Sequence, residues 1–224
     1  VGKWATIYQR LQTQGVDVAE QLAGTTWLDP FIPHLGECSG KMLDLGCGLG
    51  ADILRCAQLG YQPHGLDLEA SAVDFVQSQY GFPAQQVDFG EPLPYADESF
   101  TLVLSRFALH YLRPAAARKM FAEVRRVLQP GGKLLFVVNS ETHRRLGLQY
   151  DYTEAVELEP QVWHLPNDKA RTFLFYTPAL AKALVGEGWR WHHLEDAPFA
   201  HWDGIEKRAV VGLAENLIAA HYRA

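Results

Sequence analysis

Long apolar runs are missing from this 224-residue sequence: none approaches the roughly 20 residues that span a bilayer. The first residues mix Lys3, Arg10, Gln12 and Gln14 into their apolar positions, unlike the uninterrupted apolar centre of a signal peptide. A cytoplasmic protein is expected. Cysteine is scarce and odd in number. Cys38, Cys47 and Cys56 have no C-x-x-C spacing, which excludes a disulfide framework and a zinc knuckle. A basic excess is also missing: 20 Lys and Arg face 26 Asp and Glu, for a formal charge of −6. A field of that sign repels phosphate backbones and anionic lipid, so neither nucleic acid nor membrane is an expected partner. The nine histidines show no ligand spacing, and the adjacent His192 and His193 would point to opposite faces of a strand, so no metal is expected.

Short apolar runs alternate with longer amphipathic ones, the pattern of a parallel sheet with crossover helices. Met42 to Leu45 reads as a buried strand and Ala51 to Leu59 as a helix. Pro63 to Leu68 and Ala70 to Tyr80 repeat the unit. Ala84 to Phe89 is a third strand, Phe100 to Ser105 a fourth, and Lys133 to Val138 a fifth. Pro114 opens a helix that runs to Leu128 and stops at Gln129-Pro130-Gly131-Gly132. From 140 to 176 no strand–helix unit is evident, but aromatics are dense, and the segment reads as an inserted lid after strand five. Thr177-Pro178 has the form of an N-cap with proline at the first helical position. Trp189 to Leu194 and Arg208 to Leu213 could close the sheet, although Ile205 to Tyr222 could equally be one helix.

The most informative segment is Leu43-Asp44-Leu45-Gly46-Cys47-Gly48-Leu49-Gly50-Ala51-Asp52. A strand runs into three glycines at alternate positions and a helix follows at once. The spacing is G-x-G-x-G, not the G-x-G-x-x-G of dinucleotide binders. Asp44 would repel a pyrophosphate but suits an ammonium group. Asp67, 21 residues beyond Gly46, ends the second strand where a carboxylate can accept from both ribose hydroxyls. Asp88 ends the third strand, where it could accept from an adenine amino group while Phe89 covers the ring. The plainer readings are a strand-end surface acid for Asp44, a helix-start acid for Asp67 and a turn acid for Asp88. Taken in order, a loop for an amino-acid tail, an acid for ribose and an acid for adenine describe S-adenosylmethionine.

With LDLGCGLGAD at 43–52, GLDLE at 65–69, VDFGEPLPYADESFTLVLSRFALHYL at 87–112 and RRVLQPGGKLLFVV at 125–138, the sequence resembles class I methyltransferases of the small-molecule type. The resemblance implies a single α/β domain over 1–224. Its Rossmann-like, mostly parallel sheet would have seven strands in the order 3-2-1-4-5-7-6, helices on both faces, an N-terminal helical cover over 1–36 and the lid at 140–176. It places cofactor contacts at Asp44, Gly46, Gly48, Asp67, Leu68, Asp88, Phe89 and Ser105. Tyr8, one helical turn from Trp4, would touch the methionine end or simply pack the N-terminal helix.

His110 follows the fourth strand close to the expected methyl group. It reads as a general base or substrate contact, or as a hydrogen-bonded structural histidine. Ser105-Arg106-Phe107-Ala108 is not an Asn/Asp-Pro-Pro-aromatic box, and there is no Pro-Cys pair; with the acidic charge, this favours a small-molecule acceptor. A nicotinamide-dependent dehydrogenase would share the fold, and a non-catalytic cofactor- or partner-binding module is the other alternative.

Overall fold

The computed structural model describes Thr13, residues 26–200 and residues 206–218. A 3-10 turn, Thr26–Phe31, and the short helix α1, Ile32–Leu35, lead into β1, Lys41–Leu45. Then come α2 (Ala51–Leu59), β2 (Gln62–Asp67), α3 (Ala70–Tyr80), β3 (Ala84–Gln86) and β4 (Phe100–Arg106). A 3-10 turn at Leu109–Tyr111 precedes α4 (Pro114–Val127) and β5 (Leu128–Asn139). The main sheet is completed by β9 (Trp189–Ala200) and β10 (Glu206–Asn216), with α6 (Pro178–Val185) before them.

The strand order is β3-β2-β1-β4-β5-β10-β9. Because β9 and β10 are the sixth and seventh strands of this sheet, the order is the expected 3-2-1-4-5-7-6. Strands β1 to β5 pair in parallel, and β10 is antiparallel to both neighbours. The segment that read as strand or helix is therefore a strand. Val210 and Val211 point to opposite faces there and both are buried, as in a strand covered on two sides.

Alternate residues of the same strands feed two cores. Leu43, Val103, Leu134, Phe136 and Val138 meet Met120, Phe121 and Val124 of α4 on one face. Met42, Leu102, Leu104, Leu135 and Val137 meet Leu28, Phe31 and Leu35 on the other. The helix opened by Pro114 ends at Val127, as expected, but the strand that was expected to begin at Lys133 begins at Leu128, with an irregular register opposite Phe100–Leu102, so the Pro-Gly-Gly segment is also a distorted strand entry.

Residues 140–176 are not an irregular segment. They hold α5 (Glu141–Arg145) and an antiparallel sheet of β6 (Val156–Glu159), β7 (Val162–Leu165) and β8 (Arg171–Leu174). Each strand has four residues, too few for a readable alternation. The aromatics are partly this sheet's own core: Phe173 and Phe175 are buried with Leu165 and packed by Tyr150, Tyr152 and Trp163. Val162, Leu174 and Tyr176 belong to the main core, so the small sheet is anchored to the large one. It sits by the 3-10 turn after β4, with the Phe173 ring 5.6 Å from His110 and 5.3 Å from Tyr111.

Candidate functional site at the carboxyl ends of the strands

Parallel strands put their carboxyl ends on one edge, so Leu45, Asp67 and Arg106 open onto the same side of the molecule. After β1 the chain turns back at once. Gly46 and Cys47 both donate their N–H to the Leu66 carbonyl, at 2.8 and 2.9 Å. Gly46 and Gly48 have φ of 80° and 51°, a region that favours glycine. At Gly46 packing adds a second demand, because a Cβ there would lie 2.4 Å from that of Ala108. The Gly48 N–H donates to Asp67 Oδ2 at 2.9 Å, and Glu69 N–H donates to Oδ1 at 3.0 Å. Asp67 thus ties the glycine loop to the start of α3, and its helix-start reading accounts for one of its oxygens. Burial raises its pKa against the lowering effect of these bonds.

Asp44 is buried in the middle of the sheet edge, opposite Gly65 on one side and Leu104 on the other. That removes the surface-acid reading. Among the described residues neither carboxyl oxygen has a hydrogen-bond partner. Burial, then the neighbouring Asp52, hold its pKa well above the ordinary carboxylate value, while Arg106 pulls the other way. An unpartnered buried carboxylate is costly to a fold, and retention of one at a strand end is a mark of a ligand's place.

Beside it lies a cluster that sequence reading passed over. Asp52, in the first turn of α2, accepts from Trp27 Nε1 at 2.9 Å and from Arg106 Nε at 2.7 Å. The Arg106 guanidinium also lies 5.7 Å from the Trp27 ring centre, and the ion pair is almost wholly enclosed. These three residues are 25 and 54 positions apart, and no local spacing could have signalled them.

The remaining expected contacts are spread along the edge. Val87 N–H donates to the Asp67 carbonyl, which sets Asp88 next to the end of β2. Asp88 is exposed, and its Oδ1 accepts from Gly90 N–H in a tight turn, the plain reading of that acid. Phe89 is half-buried against the main core and Leu68 is 59% exposed. Ser105 is buried, its hydroxyl donating to the Leu45 carbonyl at 3.0 Å. Tyr8, with most of the N-terminal cover, lies outside the described residues. Cys47 is buried, and burial raises its thiol well above the ordinary range, as suits a packing residue.

His110 is 2% exposed, and neither ring nitrogen has a partner among the described residues. A hydrogen-bonded structural histidine would show one. Burial, with the charges of Lys207 and Arg171, depresses its pKa well below the ordinary value, so the ring is neutral at pH 7. His192 and His193 instead meet Glu215 and Glu195, at 3.0 and 3.3 Å, far along the last two strands.

Residues 43–136 match the family model of the methyltransferase domain. A putative methyltransferase, YqeM, of Bacillus subtilis is 29% identical over 142 residues, which are 61% of this chain and 54% of that protein. A tRNA N(3)-methylcytidine methyltransferase of Drosophila melanogaster is 27% identical over 49% of this chain and 40% of its own length. The chain spans about half the length, or less, of the curated relatives it matches. Among solved structures, a methyltransferase from Methanosarcina mazei superposes with a TM-score of 0.71 at 18% identity, covering 84% of this chain and 98% of that one.

Proposed function

We propose that this chain carries a class I S-adenosylmethionine-dependent methyltransferase domain and transfers the methyl group to a small-molecule acceptor. The observation that supports the site assignment best is Asp44. Its two unpartnered, buried oxygens stand beside a loop whose glycines leave backbone open to a ligand. They fit an ammonium group reached directly or through water. The acid at Asp67 fits a ribose, the turn of Asp88 and Phe89 an adenine, and Gly46, Gly48, Leu68 and Ser105 the rest of the cradle, with Tyr8 as a further contact. When bound, the cofactor supplies an activated methyl on a sulfonium.

What remains for the chain is mostly alignment and exclusion of water, and proximity accounts for much of such a rate. The neutral His110 imidazole stands where it could accept a proton from an acceptor that arrives protonated. The small sheet and α5 would act as the lid over 140–176, and the N-terminal segment as a second cover.

The −6 charge supports a small acceptor over a polyanion. Titration calorimetry with S-adenosylhomocysteine and with NAD tests the cofactor: binding of the first and not the second is expected. Transfer of labelled methyl to bulk tRNA, and to no compound in a small-molecule screen, would overturn the acceptor class. Cofactor binding without any turnover would favour a non-catalytic module.

A further inference from the structure

Under the small sheet, a second group of buried polar atoms has no well-formed hydrogen bond among the described residues, and the proposed function uses only one residue of it. His143, on α5, is fully buried. Its Nδ1 accepts from the Arg208 N–H at 3.2 Å, so the neutral ring carries its proton on Nε2, which the Gln149 side chain approaches without a well-formed hydrogen bond. Asn139, the last residue of β5, is also fully buried. Its Nδ2 donates to the Tyr150 hydroxyl at 3.0 Å, leaving Oδ1 unpartnered. Both nitrogens of His110 are in the same state.

Aromatic rings link these groups. Tyr150 stacks on Phe173 at 4.9 Å, His143 meets Tyr150 at 5.7 Å, and His110 meets Phe173, Tyr111 and Phe107. Cations stand on the same rings: Lys207 Nζ lies 4.6 Å from the Phe107 centre, and the Arg171 guanidinium lies 5.0 Å from that of Phe173, paired with Asp168. The antiparallel register of β10, with Ala209 opposite Asn139, is what brings Lys207 and Arg208 to the end of β5. Buried donors and acceptors without partners are rare in folded chains, and four such atoms in one aromatic-walled patch mark a place for a polar planar ligand.

We propose that this patch is the acceptor end of the site and that the acceptor is a planar compound with an acidic hydroxyl, a phenol or enol. The inference rests on the methyltransferase reading. The cations on the aromatic wall favour an oxygen that is anionic or becoming so, and disfavour a protonated amine. His110 meets the reacting hydroxyl, and His143 Nε2–H and Asn139 Oδ1 hold a second polar substituent. In the transfer the oxygen–carbon bond forms as the methyl–sulfur bond breaks. The bonding pair stays on sulfur, and the hydroxyl proton leaves through His110 to solvent.

The test uses the full chain saturated with S-adenosylhomocysteine, and two probes of the same shape, 4-nitrophenol and 4-nitroaniline. Calorimetry should show 4-nitrophenol binding at least about tenfold more tightly, the scale of one hydrogen bond to a charged group. Its phenolate absorbance should grow on binding at a pH below its free ionisation. His143→Leu, which removes the Nε2–H that faces the nitro group, should weaken 4-nitrophenol by about tenfold and leave S-adenosylhomocysteine unchanged. Tyr111, half-exposed at the rim, gives the variant Tyr111→Ala, which should weaken both probes without threatening the fold. Equal affinity for the two probes, or no binding of either to the saturated protein, would overturn the inference. Failure to bind S-adenosylhomocysteine at all would instead overturn the reading beneath it.

Discussion

At the scale of single residues, the site combines acids that serve the fold badly with bonds that hold the loop well. Asp44 is a buried carboxylate with no partner, so the apo fold pays for it. Asp44→Asn, which removes the charge and keeps the shape, should raise the stability of the cofactor-free protein at pH 7 by roughly 1–3 kcal/mol, the scale of the desolvation penalty of a buried group. It should also weaken S-adenosylhomocysteine. Parallel denaturant titrations and calorimetry would check the pair of effects, and a loss of stability would count against the assignment. Asp67 behaves differently, since its oxygens already accept from Gly48 and Glu69. Asp67→Ala should weaken the cofactor by roughly 1.5–3 kcal/mol, through the lost ligand bond and through a loosened loop. Unchanged affinity by calorimetry would sink the ribose assignment.

Between elements, the 3-10 turn Thr26–Phe31, helix α2 and strand β4 are joined by Trp27, Asp52 and Arg106. A buried ion pair adds little over an apolar replacement, but removal of one partner leaves a charge stranded. Arg106→Leu should therefore cost about 3–5 kcal/mol of stability, measured as a drop in the denaturant midpoint at unchanged slope. It should weaken cofactor binding too, because the charge of Arg106 is what offsets the acids around Asp44. A variant as stable as the parent would show that solvent reaches Asp52. At this scale the small sheet also becomes intelligible. Its four-residue strands cannot stand alone, and Val162, Leu174 and Tyr176 fix them to the main core while Phe173 meets the turn that carries His110.

Across the whole molecule, two buried neutral imidazoles set the response to acid. Burial and the charge of Lys207 depress His143 from an ordinary 6.5 to about 4, and His110 is depressed well below its ordinary value. A folded-state value below the unfolded one means that the unfolded chain binds the proton first. The stabilisation is whole above about pH 6.5 and is lost as pH falls from there toward 4. For His143 the loss is on the order of 1–3 kcal/mol. Asp44, held above its ordinary value, works in the opposite sense, adding stability as pH falls. The measurement therefore belongs in the Asp44→Asn background, as denaturant midpoints at pH 7 and pH 4.5. His143→Gln in that background should flatten the dependence, and an unchanged slope would show that the ring is hydrated.

The alternation of strands and helices, the glycine loop and the positions of the acids at 44, 67 and 88 were legible in the residues, and the order of the sheet in the family resemblance they carry. Each lies within a few residues of a strand's end, and parallel connection sends every such end to one edge whatever the side chains do. The choice of strand for 206–216, the regular structure within 140–176, the Trp27–Asp52–Arg106 cluster and the gathering of His110, Asn139, His143 and Lys207 were not legible. The cluster and the placing of β10 depend on pairings across 54 to 91 residues, such as the bond from Arg106 to Asp52 and those from Asn216 to the end of α4 and the entry of β5, whereas the small sheet is built of strands too short for a readable alternation. Burial decided the rest. The identity of Asp44 or His110 is written in the chain, but whether its polar atoms meet water, a partner or nothing is set by what the fold packs over them. On that depends whether the group is charged.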